Sequence, residues 1–159
     1  MSRLFTALCV ACALGSADCA ADPPSPNPDC EMALASATAL ADRFDKGDAS
    51  LTWQDAADLA WVTMPEYHDT LAMRGCAQMH PQFESVAMSG LRSTRIDVRA
   101  LLLRACTVRI EPADDRDARV AKEALREEGT AGLKALGVGT SACSITSKPG
   151  KPPSAPGGT

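Results

Sequence analysis

The segment 64–80 holds both histidines of this chain together with three methionines and one cysteine. Thioether, thiolate and imidazole groups are the ligands that soft copper(I) prefers. If residues 66–79 form one helix, three of these side chains share a face, while Met73 and His80 point elsewhere. Methionine at helical spacing also fills cores. A periplasmic soft-metal (copper) binder is therefore kept as an alternative hypothesis. Its candidate ligands are His68, Met73, Cys76, Met79 and His80.

Acid–base chemistry is suggested by Glu66, His68 and Asp69, which are near neighbours in the same segment. Adjacent residues on a helix point in different directions, so this trio does not converge on a substrate by itself. His80 and Glu84 lie one turn apart, which is also typical of a surface pair. The sequence contains no G-x-S-x-G, H-E-x-x-H or S-x-x-K pattern. No catalytic residue is assigned, and a small secreted enzyme stays a further alternative. Its expected sign is a pocket lined by His68 or His80 and a carboxylate.

The cysteines predict disulfides rather than a metal or redox centre. Of seven in the chain, three lie in the first 19 residues, and four remain in the rest: Cys30, Cys76, Cys106 and Cys143. None of these four belongs to a C-x-x-C pair, which argues against a zinc knuckle or a thioredoxin-like site. An even number in an exported chain predicts two bridges, with three possible pairings. We slightly favour pairing in chain order, Cys30 with Cys76 and Cys106 with Cys143.

The first 21 residues have the layout of a secretory signal peptide. Arg3 precedes an uncharged apolar run over 4–14, and small residues follow. Cleavage after Ala17, Ala20 or Ala21 fits this layout. The apolar run is shorter than the roughly 20 residues that span a bilayer, so no stable membrane insertion is expected. The sequence around Cys19 fits a lipid-anchor signal poorly, because Asp18 precedes it. We expect a periplasmic or secreted protein.

Four segments are predicted: a signal peptide over 1–21, a Pro-rich linker over 22–29, a folded domain over 30–147 and a disordered Pro/Gly tail over 148–159. Aromatic residues make up only 4% of the chain, so Ala, Leu and Val must fill most of the core, which favours closely packed helices. The expected fold is all-α, a compact bundle of five to seven short helices stabilised by one or two disulfides.

Local signals mark several of these helices. Apolar residues from Cys30 to Phe44 follow one helix face, and Gly47 closes it. Thr52 with Asp55 predicts a capping box for the next helix. Pro65 and Pro81 suit the first turns of two further helices.

The C-terminal half is harder to divide. The stretch 96–110 is apolar almost all round, which predicts a central helix, capped by Ser93 or Thr94, whose residues 106–110 could instead form a short strand. A charged helix is expected after Pro112, ending at Gly129. Residues 138–147 are expected to form a strap held by the Cys143 bridge.

The net charge of −4 argues against a nucleic-acid binder, since phosphate contacts need clustered Lys and Arg. Without a reactive constellation, the leading hypothesis is a non-catalytic exported protein that binds another protein, as an inhibitor or toxin-immunity protein does. No cofactor is expected, and the oligomeric state is left open.

Overall fold

The fold is all-helical in the computed structural model, which describes residues 27–147, with 145–147 described by their backbone alone. This part of the chain forms six α-helices and two 3-10 helices and contains no strand. The α-helices are α1 (Pro28–Lys46), α2 (Trp53–Trp61), α3 (Pro65–Met73), α4 (His80–Leu91), α5 (Val98–Cys106) and α6 (Arg116–Ala135). The 3-10 helices are Ala77–Met79 and Ser141–Ser147. Within residues 27–147 no helix combines the length and the apolar character that crossing a membrane requires.

Helix α2 lies at the centre of the bundle, because it contacts α1 and α4 on one side and α5 and α6 on the other. Helices α1 and α4 pack on each other, as do α5 and α6. Four residues of α2 are fully buried, namely Ala56, Ala57, Leu59 and Ala60. The sequence predicted a central position for the 96–110 stretch instead. That prediction was wrong in part, since Leu103 of α5 is 41% exposed.

Small residues at the helix crossings let the backbones approach closely. A Cβ atom added to Gly129 of α6 would lie 2.6 Å from the backbone N of Cys106 and 2.8 Å from the carbonyl O of Leu102. At the other crossing, a Cβ on Gly90 of α4 would lie 2.9 Å from Cα of Ala41. A core poor in aromatic residues is thus filled by narrow spacing between helices.

The N-terminal half follows its sequence signals. Helix α1 ends at Gly47, whose N–H donates to the carbonyl of Phe44, as expected from a glycine cap. Thr52 and Asp55 form the predicted capping box on α2. Asn27 caps α1 and the helix begins at Pro28, two residues before the predicted start of the folded domain at residue 30. The predicted leader and tail lie outside the described residues.

Residues 66–79 do not form the single helix on which a shared face for the candidate metal ligands depended. Helix α3 ends at Met73, and Gly75 then adopts a left-handed conformation with φ of 74°, which a side chain would strain. The short 3-10 helix Ala77–Met79 leads from there into α4, whose first residue is His80. Gly75 is the reason for the break, and it turns the chain back on itself.

The boundaries of α5 and α6 also differ from expectation. Asp97, not Ser93 or Thr94, caps α5 by accepting from the N–H of Ala100, and the chain after Thr107 is irregular rather than a strand. Helix α6 continues through Gly129 to Ala135. Glycine usually ends a helix, but here its missing side chain allows contact with α5, and that packing outweighs the roughly 1 kcal/mol helix penalty.

Two disulfides are formed by cysteines at or near the ends of helices, in the pairing favoured from the sequence. Cys30 in the first turn of α1 bonds Cys76, which precedes the Ala77–Met79 helix. Cys106 at the end of α5 bonds Cys143 in the Ser141–Ser147 helix. All four cysteines are buried. The second bridge fastens the C-terminal strap to the core, as predicted.

Candidate functional site

Two histidines predicted to point in different directions meet in the fold. His68 lies in the middle of α3 and His80 is the first residue of α4, and their Nε2 atoms face each other in direct contact. The ring centroids are 3.5 Å apart and the ring planes are inclined by 71°. Both side chains are half-buried. The turn at Gly75 creates this pair, since a continuous helix would have separated the two rings.

The other predicted metal ligands do not join the histidines as a copper(I) site. Cys76 is bonded to Cys30 and offers no thiolate. Met79 is buried in the core at 6% exposure, whereas Met73 is 81% exposed. Among the residues that the structure describes, no group of three or more His, Cys, Asp or Glu side chains is placed to hold a metal ion. The predicted grouping of His68, Cys76 and Met79 on one helix face was therefore wrong, because the helix is interrupted.

A groove of about 930 Å³ runs along α6 on the side facing the start of α3. The α6 residues that line it recur every three or four positions, as one helix face must. The chain after Thr63 and the Cys106–Cys143 bridge complete its walls. The full lining is Thr63, Met64, Pro65, Glu66, Cys106, Glu123, Arg126, Glu127, Thr130, Ala131, Lys134, Ala135 and Cys143.

The groove is lined by both apolar and charged side chains. Its less exposed members include the Cys106–Cys143 bridge, Ala131, Ala135, Thr130 and Arg126, whereas its carboxylates are exposed. Three carboxylates, from Glu66, Glu123 and Glu127, face two cationic residues, Arg126 and Lys134. Along α6 acidic and cationic residues alternate in the order Glu123, Arg126, Glu127 and Lys134. Such a surface suits a mixed, predominantly basic segment.

The hydroxyl groups of the groove are already engaged as donors. Thr63 donates its Oγ1 hydrogen to the carbonyl of Ala60 at 2.8 Å, and Thr130 donates to the carbonyl of Arg126 at 2.7 Å. Each oxygen keeps lone pairs that can accept a hydrogen bond from a bound group. These two side chains therefore favour a ligand that brings N–H donors, such as a polypeptide.

An acidic pair lies next to the groove without lining it. Glu128 of α6 is half-buried, and its burial, followed by the charges of Asp58 on α2 and of Glu127, raises its pKa to about 7. Partial burial is also the main cause of the raised pKa of Asp58, which a hydrogen bond from Gln54 partly opposes. Glu128 thus changes its charge near neutral pH, at the boundary between α2 and α6.

The acid–base residues suggested by the sequence are divided between the two places. Glu66 lines the groove, whereas His68 contacts His80 and neither imidazole lines the groove. Asp69 is exposed on α3. The expected sign of an enzyme, a pocket with a histidine and a carboxylate, is not found in this groove. The sequence missed the groove because α6 was expected to end at Gly129, although Glu123, Glu127, Thr130 and Lys134 already had the spacing of one face.

Comparison with known proteins adds no relative. The chain matches no protein-family model, no curated protein and no solved structure at a significant level.

Proposed function

We propose that this protein is exported and acts by binding another protein, as an inhibitor or immunity protein, through the groove along α6. The observation that carries the proposal is a groove of about 930 Å³ lined by both apolar and charged side chains. Protein interfaces combine apolar contacts with polar groups in this way. Two disulfides are consistent with an oxidising compartment outside the cytosol.

The partner that fits best presents a basic loop or terminus. The groove's carboxylates outnumber its cationic residues, and the whole chain carries a net charge of −4. A positive segment would be drawn to this surface by the excess of carboxylates. Its backbone N–H groups could donate to the hydroxyl oxygens of Thr63 and Thr130. The proposed partner is therefore an exported, cationic protein whose activity is blocked when this segment is held.

A photo-cross-linking amino acid at Thr130, in the groove, tests this in the source cells. The same amino acid at Ala39, exposed on α1, is the matched control. We expect a protein adduct from Thr130 and not from Ala39. An adduct to residues 148–159 of the same chain would instead identify the groove as a site for its own tail, which contradicts the proposal.

The partner identified in this way is then purified and titrated by calorimetry at 150 mM salt, where long-range steering is screened. We expect the charge reversal E123K/E127K to raise the dissociation constant at least about tenfold. The control D42K/D45K makes the same change of net charge on exposed α1 positions and should leave binding within about twofold. Equal effects of both variants, or unchanged partner activity in the complex, would refute the proposal.

A further inference from the structure

We propose that His68 and His80 form a binding site for a borderline divalent cation, Zn²⁺ or Cu²⁺, with the two Nε2 atoms as its protein ligands. Neither histidine lines the groove, and the proposal does not depend on protein binding. It replaces the copper(I) ligand set predicted from the sequence, because the sulfur of Cys76 is bonded to Cys30 and the thioether of Met73 is exposed to solvent.

The facing nitrogens are the first observation. A neutral imidazole carries a hydrogen on one ring nitrogen and a lone pair on the other. Two Nε2 atoms in contact can share one proton, or, with both hydrogens on Nδ1 and the rings turned slightly apart, they present two lone pairs to a common point. The second arrangement is how histidine binds a metal. The rings are inclined by 71° rather than stacked.

The second observation is that buried residues and a disulfide fix the backbone on either side of the two histidines. Leu71, 3% exposed, anchors α3 one turn beyond His68, and Met79, 6% exposed, anchors the residue before His80. Between them Cys76 is bonded to Cys30 of α1, which fixes the turn that brings the rings together. The backbones of the two ligands are therefore held by rigid elements, so only rotation of the rings is needed to admit a cation, which lowers the entropy cost of binding it.

The choice of cation follows from the donor set. Imidazole suits Zn²⁺, Cu²⁺ and Ni²⁺, whereas Mg²⁺ and Ca²⁺ require oxygen ligands. Two nitrogen ligands leave at least two positions of a tetrahedral ion for water or for a donor from another molecule. The half-buried rings leave the site open to solvent. This is an open coordination site rather than a closed structural one.

Calorimetric titration with zinc chloride tests the site on oxidised protein without a histidine tag. We expect one Zn²⁺ per chain and a melting temperature raised by at least about 5 °C when free Zn²⁺ exceeds its dissociation constant a hundredfold. His68→Ala and His80→Ala should each weaken binding at least about tenfold, because even residues that only support a metal ligand contribute this much. Met73→Leu, in the same segment, should leave binding unchanged.

Electron paramagnetic resonance of the Cu²⁺-loaded unmodified protein removes any dependence on variants that fold poorly. We expect hyperfine coupling to two imidazole nitrogens, and to at most one in His68→Gln, which keeps His80. Three results would each overturn the proposal: a Cu²⁺ spectrum with oxygen ligands only, no uptake of Zn²⁺, or binding of Zn²⁺ by the histidine variants as tight as by the unmodified protein. A further contradicting result combines two measurements: Zn²⁺ leaves the melting temperature unchanged, and His68→Ala lowers it in the absence of metal. The pair would then be a hydrogen bond alone.

Discussion

Single residues at the boundary of α2 and α6 show how burial changes acid–base chemistry in this protein. Glu128 is half-buried beside Asp58, and no hydrogen bond or cation is among the causes that shift its pKa. Its pKa of about 7 lies above the ordinary value of 4.5, so the folded protein holds this proton more tightly than the unfolded chain does. Ionisation of Glu128 therefore opposes folding.

We expect Glu128→Gln to stabilise the protein at pH 8. Between pH 4.5 and about 7 the folded state binds more protons than the unfolded state, so this residue lowers stability as the pH rises. After allowance for solvent screening, the variant should gain about 1 kcal/mol at pH 8 and nothing at pH 4. Urea unfolding followed by circular dichroism at both pH values measures this. Glu84→Gln, exposed on α4, is the control, and an equal gain there would contradict the assignment.

At the scale of helices, the sequence predicted those elements whose boundaries are set by local chemistry. Gly47 and the Thr52 box act within one turn of chain, so they are visible without a fold. The continuation of α6 through Gly129 is different, because it depends on α5 lying against it. The His68–His80 contact was missed for a related reason. Gly75 was a signal for a break, but the faces of the candidate ligands were compared on one helix over 66–79.

The crossing of α5 and α6 predicts that Gly129→Ala destabilises the fold, although alanine favours helices. A Cβ at this position would lie 2.6 and 2.8 Å from backbone atoms of α5, which cannot move aside independently. The overpacking should exceed the roughly 1 kcal/mol gain in helix propensity and leave a net loss of about 1–3 kcal/mol. Thermal and urea unfolding test this. Gly139→Ala is the matched control, since nothing lies within 4 Å of its Cβ. A Gly129→Ala protein as stable as wild type would show that the helices are not in close contact.

At the scale of the whole molecule, the predicted fold class and both disulfides are confirmed, whereas the groove was not foreseen. Composition and cysteine parity are properties of the entire chain, and they limit it to a bridged helical bundle. The groove arises where α6, the start of α3 and the Cys106–Cys143 bridge meet. No pattern in one segment encodes the relative placement of three segments, so this surface needed the structure.

Removing either bridge should lower the free energy of unfolding by an amount that rises with the logarithm of the length of the loop it closes. The loops span 46 residues for Cys30–Cys76 and 37 for Cys106–Cys143. Loop-closure entropy in the unfolded chain then predicts a loss of about 4 kcal/mol for each bridge. Urea unfolding of C30S/C76S and of C106S/C143S measures the two separately, and reduced wild type should show both losses. Blocking of all four thiols by an alkylating reagent before any reduction, or a transition unaffected by reductant, would contradict the bridges.

The position of the two tryptophans gives the central helix an optical signature. Trp53 and Trp61 are the only tryptophans in the chain, and both belong to α2. Because α2 contacts α1, α4, α5 and α6, any separation of these helices alters the surroundings of an indole ring. Trp61 also meets the ring of Tyr67 edge to face, with centroids 6.2 Å apart, which couples its emission to the start of α3. Intrinsic fluorescence excited at the indole band therefore reports on the middle of the bundle without an added label.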